Sequence, residues 1–145
     1  MVITKQAFDY LLSHLLDINK RKLNIISPYS IDYDKYTSML NFLNAYIKRI
    51  GDFLDQAVVD NNGCDSPFVT IGSLIHTEGQ GTYDRSVYKV VLPQEVDDES
   101  NNVKLYCCTT PQSNALLFSR TGDTAALKED GRIKRCTICQ IVYPV

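Results

Sequence analysis

The sequence lacks a long apolar run and an excess of charge of either sign. No stretch approaches the roughly 20 apolar residues that a membrane-spanning helix needs, and the first five residues lack the charged and then apolar pattern of a secretory signal. Fifteen basic and 17 acidic residues leave a formal net charge of −2. The chain as a whole is therefore not attracted to nucleic acid or to an anionic membrane. A cytoplasmic protein without a membrane partner is expected.

The sequence also lacks the cysteine pattern of a disulfide framework or a zinc site. Its five cysteines are an odd number, which suits reduced thiols. Cys136 and Cys139 have zinc-knuckle spacing, but they fall in a predicted strand, where residues three apart point to opposite faces. Neither His14 nor His76 has a nearby serine or cysteine of the kind that nucleophilic catalysis uses. No disulfide, no metal bound by the isolated protein, no tightly bound cofactor and no small-molecule substrate are expected.

What the sequence does contain, over residues 1–60, is apolar residues at helical spacing. A first helix is predicted from Thr4, which caps it, to about Ile26, since Pro28 blocks its continuation. A second helix is predicted over residues 34–59. The apolar row of the first helix is Phe8, Leu11, Leu15, Ile18 and Ile25, with Lys22 in the same row; that of the second is Leu40, Leu43, Ile47, Ile50, Leu54 and Ala57. Steps of three and four are typical of paired helices, so an antiparallel helical hairpin, a coiled coil, is predicted.

Turn-forming residues fill the segment 61–67, which is the predicted linker to a β domain over 68–145. Beyond the linker the apolar residues alternate, which predicts strands at 68–76, 86–92, 103–109, 124–128 and 133–143. A short helix is predicted at 112–119, a charged loop at 97–102 and a hairpin turn at 129–132. The predicted fold class is therefore α+β, with the helical hairpin followed by an antiparallel β domain that carries one short helix.

Five short motifs follow one another in the second half of the chain. They are Val69-Thr70-Ile71-Gly72-Ser73, Tyr88-Lys89-Val90-Val91-Leu92-Pro93, Thr110-Pro111-Gln112-Ser113-Asn114-Ala115-Leu116-Leu117, Thr121-Gly122-Asp123 and Ile138-Cys139-Gln140-Ile141-Val142-Tyr143. In this order, behind a helical hairpin, they resemble the C-terminal domain of the bacterial Gre transcription elongation factors and the related regulators of nucleoside diphosphate kinase. The family pattern of the third motif is Ser-Pro-x-x-x-Ala-Leu-Leu-Gly. The opening helix, from Ile3 to Phe8, also looks like that of the family.

The resemblance implies a fold and a partner. In such factors the C-terminal domain is FKBP-like and docks at the secondary channel of bacterial RNA polymerase, and the coiled coil enters that channel. A transcription elongation regulator is therefore expected, with RNA polymerase as its partner and with only indirect contact to nascent RNA. The residues that the resemblance assigns to polymerase binding are Thr110, Pro111, Ala115, Leu116, Leu117, Gly122 and Asp123. Such a protein is not itself an enzyme and at most stimulates RNA cleavage by the polymerase.

The connection between the two helices bears on that cleavage activity. Gre cleavage factors carry two acids there, which help to hold a metal ion at the polymerase active site. If Tyr36 matches the family tyrosine, Asp32 matches one acid and Tyr29 replaces the other, for which Asp34 can substitute. These two acids are the candidate catalytic residues, since exposed carboxylates can hold a hydrated Mg²⁺ whose other ligands come from the polymerase. The alternative is that both acids only cap the second helix.

Two further observations leave alternatives open. By the same alignment the first helix is about nine residues shorter than in cleavage factors, which withdraws the tip by roughly 13 Å and favours a polymerase-binding regulator. Lys20, Arg21 and Lys22 either contact RNA phosphates or the channel wall, or form a solvated helix face. For Lys48 and Arg49 the solvated face is favoured. A prolyl isomerase, suggested only by the FKBP-like topology, is a remote alternative because fold does not carry function.

Overall fold

The computed structural model describes residues 1–81, 84–95 and 102–144. The chain divides into two compact units, Met1–Asp65 and Ser66–Val145. The first unit holds two long helices, and the second holds a five-stranded sheet with one short helix. The predicted architecture, a helical hairpin followed by a β domain, is confirmed. Among the helices of the described residues, none is both long enough and apolar enough to cross a membrane.

The two helices of the first unit begin and end at residues that cap or interrupt them. Helix α1 (Lys5–Ile26) starts where the Thr4 hydroxyl accepts a hydrogen bond from the Ala7 amide at 3.2 Å, as predicted. A 3₁₀ turn, Ser27–Tyr29, follows and contains Pro28. Helix α2 (Tyr33–Gln56) then runs back along α1. It ends three residues earlier than predicted, because the chain leaves the helix at Ala57.

Valines that were predicted to be helical instead close the base of the hairpin. Strand β1 (Val2–Ile3) pairs in parallel with strand β2 (Val58–Val59), and Ile3 also bridges to Cys64. Gly63 lies so close to this pairing that a Cβ would stand 2.5–2.7 Å from the Ile3 backbone. Only glycine fits there without a shift of the backbone. β-Branched residues favour extended conformations. This preference explains why Val58 and Val59 form a strand although the spacing of apolar residues predicted a helix there.

The apolar rows of α1 and α2 face each other. The buried residues are Ala7, Leu11, Ile18, Ile25 and Ile26 on α1, with Met39, Leu43, Tyr46 and Ile50 on α2. Five of these were predicted for the seam, and Tyr46 and Met39 take places that were assigned to Ile47 and Leu40. The seam of α2 therefore differs from the predicted one at two positions, and at one of them it carries a tyrosine.

A polar pair crosses the middle of this seam. The His14 ring nitrogen Nε2 lies 2.7 Å from the Tyr46 hydroxyl, so one hydrogen bond joins α1 to α2. Tyr10 stacks on His14 at 5.6 Å and Phe42 stacks on Tyr46 at 6.1 Å between ring centroids. Burial lowers the pKa of His14 to about 4, against a small opposing effect of Asp17. The imidazole is thus neutral at pH 7, and its single polar contact fixes the register of the two helices.

The β domain is a mixed sheet with strand order β5-β4-β3-β7-β6. Its elements are β3 (Leu74–Gly79), β4 (Arg85–Val91), β5 (Val103–Cys107), α3 (Pro111–Leu116), β6 (Thr124–Glu129) and β7 (Arg132–Val142). All neighbours are antiparallel except β4 and β5, which pair in parallel. The prediction of a wholly antiparallel domain is wrong at this pair. Eleven residues, 92–102, separate β4 from β5, which is close to the length that a connection between parallel strands needs.

The first predicted strand is shorter than expected. Residues 68–73 do not join the sheet as a strand, and β3 begins only at Leu74. The Ser73 hydroxyl donates to the Thr70 carbonyl at 2.8 Å and accepts from the Thr70 amide at 3.0 Å. Gly72 between them has a φ of 94°, which favours glycine. This turn replaces the predicted start of the strand. The predicted loop at 97–102 lies outside the described residues except for Asn102.

Glu129 joins the two edges of the sheet. It ends β6, yet its Oε1 accepts hydrogen bonds from the hydroxyls of Tyr88 at 2.9 Å and Tyr106 at 3.0 Å, and Lys104 Nζ lies 3.1 Å from Oε2. Because β5 and β6 are opposite edges, these contacts require a strongly curled sheet. Burial opposes the charge on Glu129, but the hydrogen bonds from Lys104, Tyr88 and Tyr106 outweigh it and hold its pKa below the usual value. Burial and the Glu129 carboxylate raise the pKa of Tyr88 and Tyr106.

We expect the hairpin to lose stability in acid because of His14. The folded chain binds this proton only near pH 4, whereas the unfolded chain binds it near pH 6.5. The folded state therefore becomes less stable as the pH falls through that window, by up to about 3 kcal/mol. Urea unfolding followed by helical circular dichroism, at pH values from 7 to 4, measures this loss. His14→Gln keeps a hydrogen-bonding group but does not titrate, so a wild type and variant that lose stability in parallel would contradict the assignment.

We expect two glycines of the hairpin unit to respond to alanine in opposite directions. A Cβ at Gly51, inside α2, would lie 3.6 Å from Leu15 Cδ1, an ordinary contact. Gly51→Ala should therefore stabilise the protein by ~0.5–1 kcal/mol through helix propensity. Gly63→Ala should destabilise it by ~1–3 kcal/mol, because the new methyl overlaps the Ile3 backbone. Free energies of unfolding in urea test the pair, and a shift of both variants in one direction would refute this account of the hairpin base.

Candidate functional site

The residues predicted to bind a partner form one corner of the β domain, residues 110–123, which we call the α3 corner. Thr110 is the N-cap of α3, and its hydroxyl oxygen accepts from the Ser113 amide at 3.3 Å. Pro111 occupies the first helical turn, where its missing amide proton costs nothing. The Ser113 hydroxyl donates to the Cys107 carbonyl at 2.6 Å and ties the helix to the end of β5. The start of α3 is therefore held in one conformation.

The predicted binding residues on α3 differ in exposure. Leu116 is completely buried in the core of the domain, so it is not available for direct contact with a partner. Helical periodicity explains this burial, since it places Leu116 on the same inward face as the buried Ser113. Its assignment to partner binding stays a prediction. Pro111 is exposed, and Ala115 and Leu117 are partly exposed. These three predicted residues are accessible, as is Asn114, which is exposed on the same helix.

The end of α3 carries a conformation that is rare for a bulky residue. Phe118 has a φ of 65°, at the position where the family pattern places glycine. Its amide donates to the Val69 carbonyl at 2.9 Å, and the Val69 amide donates to the Ser119 carbonyl at 2.9 Å. The ring packs on Phe68 with centroids 5.2 Å apart. These contacts tie the end of α3 to the first residues of the domain and stabilise the strained backbone.

Gly122 and Asp123 form a rigid turn on the same corner. Gly122 has a φ of 93°, and its amide donates to the Ile138 carbonyl at 2.8 Å. The Asp123 carboxylate accepts from the Arg120 amide at 2.8 Å, and its carbonyl accepts from the Ile138 amide at 2.9 Å. Both residues remain exposed. The turn therefore presents an exposed carboxylate.

At the tip of the hairpin the two candidate acids lie at the start of α2. Asp32 is the N-cap, and its Oδ1 accepts from the Lys35 amide at 3.2 Å. Asp34 is exposed in the first helical turn, where a negative charge suits the helix dipole. The capping interpretation is confirmed for Asp32. No group of three or more His, Cys, Asp or Glu side chains that could hold a metal ion occurs among the described residues. A metal-assisting role for the two acids stays a prediction.

The basic residues near the tip are engaged within the hairpin. Arg21 forms an ion pair with Asp17 at 3.2 Å. Lys22 donates to the Asn44 side chain across the seam at 3.0 Å. Lys20 is exposed. Two of the three predicted contact residues thus have partners in their own hairpin, which favours the solvated-face interpretation over binding to phosphate.

Further along α2, Lys48 pairs with Asp52 at 2.8 Å in the expected solvated arrangement. The hydrogen bond to this carboxylate and its charge raise the pKa of Lys48. Both partners are exposed, so the pair adds little to stability.

Cysteine and histidine do not gather into a reactive site in the described part of the chain. Cys136 is completely buried and Cys139 is exposed, so the prediction that they point to opposite faces is confirmed. Burial raises the pKa of the Cys108 thiol to about 12, which makes it unreactive. Two open surface clefts, of about 660 and 680 Å³, run beside β3, β4 and β7. Neither is lined by a phenylalanine or a tyrosine among the described residues, so no observation favours an isomerase pocket.

Several solved structures are similar to this chain. GreA factor homolog 1 (Gfh1) of Thermus thermophilus is 21% identical over 97% of this chain and 97% of its own, with a TM-score of 0.48. Gfh1 of Thermus aquaticus is 22% identical over 98% of this chain and 97% of its own, with a TM-score of 0.48. The transcription elongation factor GreA/GreB from Nitrosomonas europaea is 22% identical over 79% of this chain and 96% of its own, with a TM-score of 0.48.

These neighbours carry the family name that the sequence motifs resemble. No protein-family model matches the chain, and no curated protein matches it at a significant level. Because the identities are below a quarter and the TM-scores are moderate, the proposals below rest on the chain's own residues and contacts.

Two features of the site were not predicted from the sequence. Tyr46 was expected beside the seam, and its bond to His14 across the hairpin was not foreseen. Glu129 was expected only in a turn, and its three donors come from strands distant in sequence. The spacing of His14, which places it in the apolar row of α1, was the one sequence signal available for the first feature. The second carries no local signal, because it depends on the curl of the sheet.

Proposed function

We propose that this chain is a transcription elongation regulator that binds bacterial RNA polymerase, with its β domain docking at the secondary channel and its hairpin entering that channel. The observation that carries the proposal is the ordered series of five motifs behind a helical hairpin. The third and fourth motifs supply the α3 corner, which is exposed at Pro111, Gly122 and Asp123. A non-enzymatic role is part of the proposal.

The α3 corner is suited to binding because it is ordered before a partner arrives. The cap at Thr110, the Phe118–Phe68 contact and the Asp123–Arg120 hydrogen bond each fix a part of it. A preorganised surface loses little conformational entropy when it binds. The accessible side chains of Ala115 and Leu117 offer a small apolar area, and the α3 corner also carries the exposed carboxylate of Asp123. Such a surface fits a protein that presents apolar and basic groups together.

The charge distribution also supports a protein partner over a nucleic acid. Residues 1–65 contain seven basic and eight acidic side chains, and several of these pair within the hairpin. Affinity for nucleic acid depends mainly on neutralising phosphates with an excess of Lys and Arg. The hairpin has no such excess. Entry into a protein channel is therefore the better-supported role, and contact with nascent RNA is at most indirect.

The proposal predicts retention by core RNA polymerase. The full-length chain, immobilised, should retain the core enzyme, and Leu117→Asp should weaken the complex by more than tenfold, since a charge would be placed on the apolar part of the α3 corner. Arg85→Ala, on the exposed start of β4, is the matched control and should bind within twofold of wild type. Circular dichroism verifies that each variant is folded. Failure of the wild-type chain to retain the core enzyme would refute the proposal.

A second candidate, transcript cleavage assisted by Asp32 and Asp34, is favoured by the exposure of both acids at the tip. In it the carboxylates would hold Mg²⁺ only in the complex, with the polymerase supplying other ligands. The Asp32→Asn, Asp34→Asn variant tests it, because asparagine keeps the N-cap while the charges are lost.

For a regulator that does not assist cleavage, we expect backtracked polymerase complexes to shorten their RNA at the same rate with wild type, with this variant and with no added protein. Gel analysis of the transcripts over time measures the rate. Faster shortening with wild type alone would establish the cleavage function instead.

A further inference from the structure

We infer that the hairpin acts through an apolar tip, formed by Ile31 and Tyr33, which inserts into an apolar pocket of the protein that the β domain binds. The inference rests on the proposed function and specifies how the tip contributes to it. Ile31 is 98% exposed and Tyr33 is 78% exposed. They flank Asp32, between the 3₁₀ turn and the first turn of α2. Leu23, 70% exposed, lies near the end of α1. Ile31 and Tyr33 have the highest exposures of the large apolar side chains among the described residues.

The exposure of the apolar tip is not required by folding. Isolated apolar residues on a surface are ordinary, but here the two side chains flank a cap whose backbone is fully specified. The Asp32 amide donates to the Tyr29 carbonyl at 2.9 Å, and the Tyr36 amide donates to the Asp32 carbonyl at 2.9 Å. The Asp32 carboxylate caps the Lys35 amide. The turn is therefore ordered, and it holds Ile31 and Tyr33 outward without using either in the seam.

The charges around the apolar tip indicate a protein pocket over RNA. Asp32 is engaged in capping, Arg21 pairs with Asp17, and Lys22 bonds to Asn44. Asp34 adds a negative charge beside Tyr33, and a negative charge repels phosphate. Lys35 is exposed in the same turn, so the tip carries two carboxylates and one ammonium group and has no excess of positive charge for binding phosphate. A pocket lined by apolar residues is the partner chemistry that this surface fits.

The area of the apolar tip decides whether it can hold a partner alone or only together with the β domain. Two exposed side chains of this kind offer on the order of 300–400 Å², which is below the ~800 Å² per partner that a stable interface buries. A second copy of the chain would therefore not be held by this surface alone. If the β domain already holds the partner, the tip binds at a high effective concentration, and a small apolar contact suffices.

The experiment compares the full-length wild type with Ile31→Ser, Tyr33→Ser and with the matched control Leu12→Ser, Leu16→Ser. The control changes two apolar side chains of α1 that are also exposed, and both variants keep the Asp32 cap. Affinity is measured with core polymerase free of nucleic acid, and function is measured as the effect on elongation rate over a defined template. We expect the apolar-tip variant to bind about tenfold more weakly and to lose its effect on elongation. The Leu12 and Leu16 control should stay within twofold of wild type in both measurements.

The other outcomes overturn the inference, and each one shows whether the proposed function also fails. If wild type binds the polymerase and the apolar-tip variant matches it, the tip inference fails and the proposed function stands. A defect seen only when RNA is present would assign the tip to RNA, and a wild-type dimer abolished by the variant in sedimentation would assign it to a second copy. If wild type does not bind the polymerase, the proposed function fails and the inference fails with it.

Discussion

The two long helices of the first unit bury their apolar rows against each other, and this constraint determines the rest of the hairpin. The seam needs both ends of the pair to be fixed, because a slip of one turn would expose it. At one end the β1–β2 pairing and the close approach of Gly63 to Ile3 fix the chain. At the other end the Asp32 cap defines where α2 begins. In the middle, the His14–Tyr46 hydrogen bond favours a single register, since a slip would leave the buried Tyr46 and the half-buried His14 without this bond.

Much of the fold follows from local patterns in the sequence. The start of α1, both helices and most of the seam are set by caps and by spacing over a few residues, so they were predictable. The choice of Tyr46 over Ile47 was not, because adjacent positions on α2 both carry large apolar side chains and only the facing helix selects between them. The parallel pairing of β4 and β5 and the reach of Glu129 to Tyr106 depend on residues far apart in sequence. No local period encodes them.

In the α3 corner, too, local patterns in the sequence predict some features, and others depend on residues far apart in the chain. The order of the motifs located it, and Thr110 and Pro111 specify the start of the helix by ordinary capping chemistry. The inward position of Leu116 follows from helical spacing, which a motif match alone does not apply. The backbone of Phe118 was unpredictable, since its positive φ is paid for by tertiary contacts with Phe68 and Val69. Phe118, which stands where the family pattern has glycine, is thus accommodated by contacts with residues at the start of the β domain.

At the tip of the hairpin, the capping of α2 determines which side chains are exposed. Capping α2 requires an oxygen at position 32, and the Asp32 carboxylate that satisfies the Lys35 amide has one oxygen fewer to offer a metal ion. The turn that the cap stabilises projects Ile31 and Tyr33, whose exposure the seam neither needs nor relieves. The same local geometry therefore weakens the case for an acidic tip and strengthens the case for an apolar one. Supplying charge to a metal ion requires carboxylates that are free of other bonds. Occupying space in a partner requires only shape and apolar surface. The second way of regulating a partner is therefore the one that this tip suits.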